Sequence, residues 1–296
     1  MLSIRTIVAL FVLLLSSSLA NAQPLSFFLD NFASTTTGPP NGDQVSDNAA
    51  TGNAVWAAFG TGSWTGTVGG RRILGNQWEG GSFGGNNNTS SVVNGRFNIF
   101  NDTTTRSRGQ LIWDGGGTVP TNSPITAIPQ SFLLNKDVFA GVNGTNFNLE
   151  VSVLNADLRT WTYTVRAYTT NASNYFEAVI TTNTSGDGLT PASFFINVSQ
   201  FAVASGTPSW NDIDAITFDA RYANQPLGGD LAISFLQFVG VPEMSTYLMI
   251  GLSGLLVGSF YAYRRGSKGG DQPGIKPEAT VEESILPVGS VAGKVV

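Results

Sequence analysis

The amino-acid sequence predicts a mainly β protein, an antiparallel β-sandwich of jelly-roll-like form, set between two membrane-directed ends. Three observations predict it: short runs in which apolar and polar side chains alternate every second residue, clusters of Gly, Asn, Asp and Pro between those runs, and no apolar stripe of helical period before residue 244.

Met1 to Ala22 reads as a secretory signal peptide. Arg5 supplies the positive start, Ile7 to Leu15 the apolar core, and Ala20-Asn21-Ala22 the small-x-small site, so cleavage is expected between Ala22 and Gln23. The exported domain is then 23–240. Its 15 acidic and 9 basic residues give it a net charge of −6, which argues against nucleic acid as a partner. The chain has no Cys, so a packed core must supply all of its stability. One undivided β domain accommodates 218 residues.

The clearest strands are Phe147 to Val153 and Arg159 to Tyr168. In the first, Phe147, Leu149, Val151 and Val153 alternate with polar residues; in the second, Trp161, Tyr163 and Val165 alternate with threonines. Gly95 to Phe100, Gln110 to Trp113, Tyr175 to Thr181, Ser193 to Ser199, Ala215 to Ala220 and Leu231 to Val239 are further strands, rich in β-branched and aromatic residues. Ser34 to Asn53 and Gly80 to Ser91, rich in Gly, Asn, Ser and Thr, are expected as surface loops.

Met244 to Tyr263 is a 20-residue uncharged run, about 30 Å long as a helix, and matches one crossing of a bilayer. Arg264, Arg265 and Lys268 follow directly, and such a basic flank marks the cytoplasmic side. Residues 266–296 have no strand or helix pattern and read as a disordered cytoplasmic tail. The protein is therefore expected to be exported and held by this C-terminal helix.

Val241-Pro242-Glu243, the apolar run and Arg264-Arg265 stand in the order of the sorting signal of the PEP-CTERM family, which this chain resembles. Met244 stands in place of the second Pro, and 31 residues follow Arg265 where members usually stop within a few. The resemblance implies a bacterial protein handled by an exosortase-type enzyme, with Val241, Pro242, Glu243, Arg264 and Arg265 as the sorting motif in segment 241–265. It implies a cell-surface or extracellular-matrix role in organisms that make exopolysaccharide, hence a polysaccharide partner. LDNF at 29–32, GGRRIL at 69–74, GQLIWDG at 109–115, WNDIDAITFDA at 210–220 and GGDLAISFLQFVGVPE at 228–243 also resemble the bodies of many members.

The chain has neither His nor Cys, which removes imidazole- and thiolate-based catalysis and His-ligated zinc. Carboxylate chemistry is what remains for an enzyme. Asp212 with Asp214, Glu79, Glu150 or Glu177 would be the acids of a glycoside hydrolase or lyase. The principal expectation is no enzyme and no cofactor; the alternatives are that hydrolase or lyase, or a single-pass membrane protein with a lectin-like ectodomain. Asp212, Asp214 and Asp230 offer the hard oxygens of a structural Ca²⁺ site, against a simpler role in turns. Trp56, Trp64 and Trp78, in a Gly- and Thr-rich stretch, are the candidate ligand contacts, because an indole face stacks on the apolar face of a sugar. Trp113, Trp161 and Trp210 lie in or beside strands and are assigned to the core.

Overall fold

The computed structural model describes residues 26–32, 43–47, 53–60, 67–81, 88–121, 123–126, 128–142, 145–157, 160–222, 227–241, 253, 254, 256, 257 and 260. The chain divides into two compact units, Met1–Glu243 and Met244–Val296.

The first unit is built from β1 (Ser26–Asp30), β2 (Asp43–Ser46), β3 (Val55–Phe59), β4 (Arg72–Gly81), β5 (Thr89–Val93), β6 (Arg96–Phe100), β7 (Thr105–Trp113), α1 (Val138–Val142), β8 (Phe147–Asn155), β9 (Trp161–Tyr168), β10 (Tyr175–Thr182), β11 (Ala192–Asn197), β12 (Ala202–Ser205), β13 (Ala215–Tyr222) and β14 (Leu231–Gly240). They form two seven-stranded sheets. Sheet A runs β11-β8-β14-β6-β5-β2, with β1 also on β14; sheet B runs β12-β10-β9-β13-β7-β4-β3. Among the described residues every ladder is antiparallel. The first and last strands are neighbours: β1 pairs with the C-terminal half of β14, and β6 with its N-terminal half.

Alternation sorts each strand into an inner and an outer row. Phe147, Leu149, Val151 and Val153 of β8, Ile233, Leu236 and Phe238 of β14, and Tyr163, Val165, Leu111 and Phe218 of sheet B are all buried in one core. Trp113, Trp161 and Trp210 belong to it, as the sequence predicts. Trp210 stacks on Phe176 with ring centroids 4.4 Å apart and meets Phe147 edge-on at 4.8 Å.

A second part of the interior is polar. Arg72, on the inner side of β4, reaches both oxygens of Asp30 at 2.7 Å and Oδ2 of Asp43 at 3.3 Å, with all three side chains fully buried. Asp30 also accepts from Trp113 Nε1 at 3.0 Å, Thr67 Oγ1 at 3.1 Å and Phe32 N at 2.7 Å. Burial pushes the Asp30 carboxyl above the ordinary range, with the Arg72 charge opposing it. Further along the same side, Asn76 donates to Ser90 at 2.8 Å and Asp47 accepts from Trp78 N at 2.8 Å. This polar seam ties β4 of sheet B to β1, β2 and β5 of sheet A.

All eight strands read from the sequence are present, with ends shifted by a few residues. Gly95 is not in a strand: Asn94 and Gly95, at φ 53° and 72°, make the two-residue turn between β5 and β6, where both central residues need positive φ. The two expected loops need correction. The first contains β2, whose Asp43 is buried, and the second contains the end of β4 and the start of β5. Their inward positions include Asp43, Val45 and Ser90, and one apolar residue among polar ones leaves no apolar alternation to read.

In the second unit Ser253, Gly254, Leu256, Val257 and Phe260 are helical. Among the described residues no helix is long and apolar enough to cross a membrane. The expected signal peptide with its expected Ala22–Gln23 cleavage bond, most of the expected span, Pro242, Glu243, Arg264, Arg265 and the expected tail lie outside the described residues. Of the residues expected to form a sorting motif only Val241 is described, and its N–H donates to Asn146 O at 3.1 Å.

Candidate functional site

The outer face of sheet B collects side chains that the core does not use. Strand register arranges them in rows that cross the sheet. Glu177, Arg166, Thr217, Ile112, Ile73 and Ala58 form one row from β10 to β3. Val179, Thr164, Asp219, Gln110, Gly75 and Trp56 form the next. Thr181, Thr162, Arg221, Arg108 and Gln77 form the third.

Part of this face is covered by the excursion from Asp114 to Asp137. Phe132 meets the Tyr168 ring at 6.1 Å, Trp56 Nε1 donates to Ser123 O at 3.4 Å, and Ile125 N donates to Gln77 Oε1 at 2.7 Å. Ile73, Ile112, Thr217 and Tyr168 are accordingly buried, although they point away from the inter-sheet core, and Ile125 of the covering segment is buried with them. Trp56 lies across Gly75: a Cβ on Gly75 would come within 2.4 Å of the indole. Only glycine lets the ring lie flat on the sheet there. Beyond the covered part Val179 is 55% exposed, and Thr181 and Arg221 are also exposed.

The floor is laced with ion pairs. Arg108 Nε is 2.6 Å from Asp219 Oδ2, Arg166 Nε is 2.6 Å from Glu177 Oε2, and Glu79 lies 3.7 Å from Arg106 and 3.9 Å from Arg108. Arg166 also stands over the Tyr175 ring at 5.8 Å, and Tyr175 packs against Tyr168 at 5.1 Å. Burial raises the Asp219 carboxyl to about 6, against the pull of Arg108. Asp219 Oδ1 and its cross-strand neighbour Gln110 Oε1 are buried without a hydrogen-bond donor.

The residues picked from the sequence fall in different places. Trp56 is on this outer face. Trp78 pairs with Ser107, whose hydroxyl meets Asn76 in the polar seam, so its indole is on the side facing the other sheet. Trp64 lies outside the described residues. Asp212, Asp214 and Asp230 head strands of different sheets, and among the described residues no three His, Cys, Asp or Glu side chains gather as metal ligands. Asp214 instead accepts from Thr170 N at 2.7 Å, holding a β-branched residue at φ 59° in the β9–β10 turn, and Asp230 accepts from Asn101 N at 2.8 Å. Of the candidate acids, Glu150 is on the outer face of sheet A, bound by Ser193 at 2.7 Å and by Gln237. Glu79 and Glu177 share the face of sheet B, each tied to arginine.

Sequence reasoning missed Arg106, Arg108, Arg166, Asp219, Arg221 and Tyr175. Their signal was available: once a strand is aligned by its apolar residues, the alternate positions are the outer face.

No family model matches this chain, and no curated protein does. Among solved structures it is similar to the carbohydrate-binding module CtCBM11, with 15% identity and a TM-score of 0.35 over 76% of this chain and 99% of that one. It is also similar to the family 11 carbohydrate-binding module from Clostridium thermocellum in complex with a β-1,3-1,4-mixed-linked tetrasaccharide, with 15% identity and a TM-score of 0.29 over 74% of this chain and 97% of that one. An agarase, AgWH50C, aligns at 10% identity and a TM-score of 0.35 over 74% of this chain and 25% of its own. At these scores neither family nor ligand transfers to this chain.

Proposed function

We propose that this is an exported bacterial surface or matrix protein that binds polysaccharide through the outer face of sheet B without turning it over. The sorting reading rests on the order of Val241-Pro242-Glu243, the apolar run 244–263 and Arg264-Arg265. An exosortase-type enzyme and a membrane are then its partners in delivery.

The observation that carries the binding reading is the row Thr181, Thr162, Arg221, Arg108 and Gln77. It sets hydroxyl, guanidinium and amide groups in one line over five strands, about 19 Å at ~4.8 Å per strand. A polysaccharide is a line of repeating hydroxyls and suits such a line of donors and acceptors. The half-buried Trp56 one row away supplies an aromatic surface. Hydrolysis is less well supported, because each carboxylate of the face, Glu79, Glu177 and Asp219, is engaged by an arginine rather than paired across a cleft.

The test is a panel of immobilised polysaccharides probed with the full-length chain, with reducing ends measured in the same wells. Saturable retention without new reducing ends is expected. Release of oligosaccharide would make it an enzyme, and no retention on any glycan would end the binding reading.

A further inference from the structure

Four of the nine basic residues of the exported domain, Arg106, Arg108, Arg166 and Arg221, stand on the outer face of sheet B, in a chain whose net charge is −5. Three of them are matched: Arg106 and Arg108 by Glu79, Arg108 by Asp219, and Arg166 by Glu177. Arg221 is not. Among the described residues it has neither an ion pair nor a side-chain hydrogen bond, it is exposed, and in the ladder it stands directly opposite Arg108.

Like charges directly opposite on paired strands destabilise a sheet. Asp219 at 2.6 Å and Glu79 at 3.9 Å answer that repulsion on the Arg108 side and leave the Arg221 guanidinium with its planar donor fork open to solvent. Thr162 lies opposite it on the other neighbouring strand, and the Thr162 and Thr181 hydroxyls are 3.0 Å apart. The uncompensated cation thus sits mid-row, with hydroxyls on one side and a fixed guanidinium and Gln77 on the other.

From this charge arrangement we infer that the ligand of the face is an acidic polysaccharide, one whose sugars carry carboxylates, and that Arg221 makes the carboxylate contact. The inference rests on the binding role given to this face above and narrows its ligand class. The overall negative charge of the domain does not oppose it. Charges farther than about 8 Å are screened at physiological salt, whereas the bound carboxylate lies at contact distance. The three matched arginines and their three carboxylates orient the neighbouring donors without adding net charge, so Arg221 sets the sign of the row.

The experiment compares full-length wild type, Arg221→Gln and Arg221→Ala on polygalacturonate, alginate, a neutral β-glucan and dextran sulfate at two salt concentrations. Wild type is expected to bind the uronate polymers at least tenfold more tightly than the neutral glucan, and more weakly as salt rises. Both substitutions should remove that preference while leaving the melting midpoint within about 2 °C, since Arg221 has no partner to lose. Equal affinity for uronate and neutral polymers, or uronate binding unchanged by both substitutions, overturns the inference but leaves glycan binding standing. Dextran sulfate bound as well as the uronates overturns the carboxylate assignment. Failure to bind every polymer sinks the binding reading itself.

Discussion

On one side of the sandwich the sheets are joined through charge, Arg72 holding Asp30 and Asp43 with Trp113 and Thr67 completing the shell; on another they are joined through rings, Trp210 flat on Phe176 with Phe147 and Phe201 edge-on to it. The difference lies in how each responds to change. Aromatic packing contributes in proportion to the area and contacts retained, so partial substitution causes partial loss. A buried ion cluster gains little over a well-packed apolar replacement, yet losing one member leaves uncompensated charge in a medium that cannot solvate it. The charged side is therefore the more sensitive to loss of a single member, and the ringed side the more graded in its response.

The harshest way to break this contrast is Arg72→Met, which strands two carboxylates at zero exposure. A loss of about 3–5 kcal/mol is expected in denaturant melts. The concerted Asp30→Asn, Arg72→Met, Asp43→Asn variant should recover more than half of it. A triple variant as unstable as the single one would show that the cluster is strongly favourable in its own right. On the ringed side, Trp210→Leu should cost about 2–4 kcal/mol, and no second substitution should restore it by removing charge.

Acidity sharpens the comparison further. Asp30 and Asp219 both hold their protons more tightly in the folded chain than in the unfolded one. Their contribution is full below the ordinary carboxylate value and fades as pH rises through the folded one, about 6 for Asp219. Exposed Asp187, lowered by the N–H groups of Thr190 and Leu189, works in the opposite sense. The melting midpoint should be a few degrees higher at pH 5 than at pH 7.5. Trp210→Leu should keep that slope, while Asp219→Asn and the triple variant should each flatten it. The smallest effect belongs to Tyr163→Phe. The Tyr163 hydroxyl is buried without a partner, so its removal should leave stability unchanged or raise it by up to about 1 kcal/mol, measured by the same melts.

The same contrast decided what could be read in the sequence. Strands β8 and β9 face the core with Phe, Leu, Val, Trp and Tyr, and alternation finds them at once. In β4 the inward residues include Arg72 and Asn76 while Ile73 points outward, so the usual alternation is inverted and the strand disappears from a hydrophobic reading. The patterns LDNF, GGRRIL and GQLIWDG were visible as words, but their meeting point was not: Asp30, Arg72 and Trp113 converge only once β1, β4 and β7 are placed in facing sheets. The candidate site was half visible for a related reason. Trp56 stood out by residue type, whereas Arg108 and Arg221 matter because ladder register puts them opposite each other across 113 positions of chain. Conversely, the aspartates at 212, 214 and 230 resembled ligands, and Asp214 and Asp230 hold backbone N–H groups.

The placing of β14 has a mechanical consequence. The last strand is not at a sheet edge but is flanked by β8 on one side and by β6 and β1 on the other, and the chain leaves it at Val241. A pull on the following segment runs along the strand and must shear several ladder hydrogen bonds together, instead of unzipping them singly. A sandwich threaded this way can bear load applied at the C-terminal end of β14.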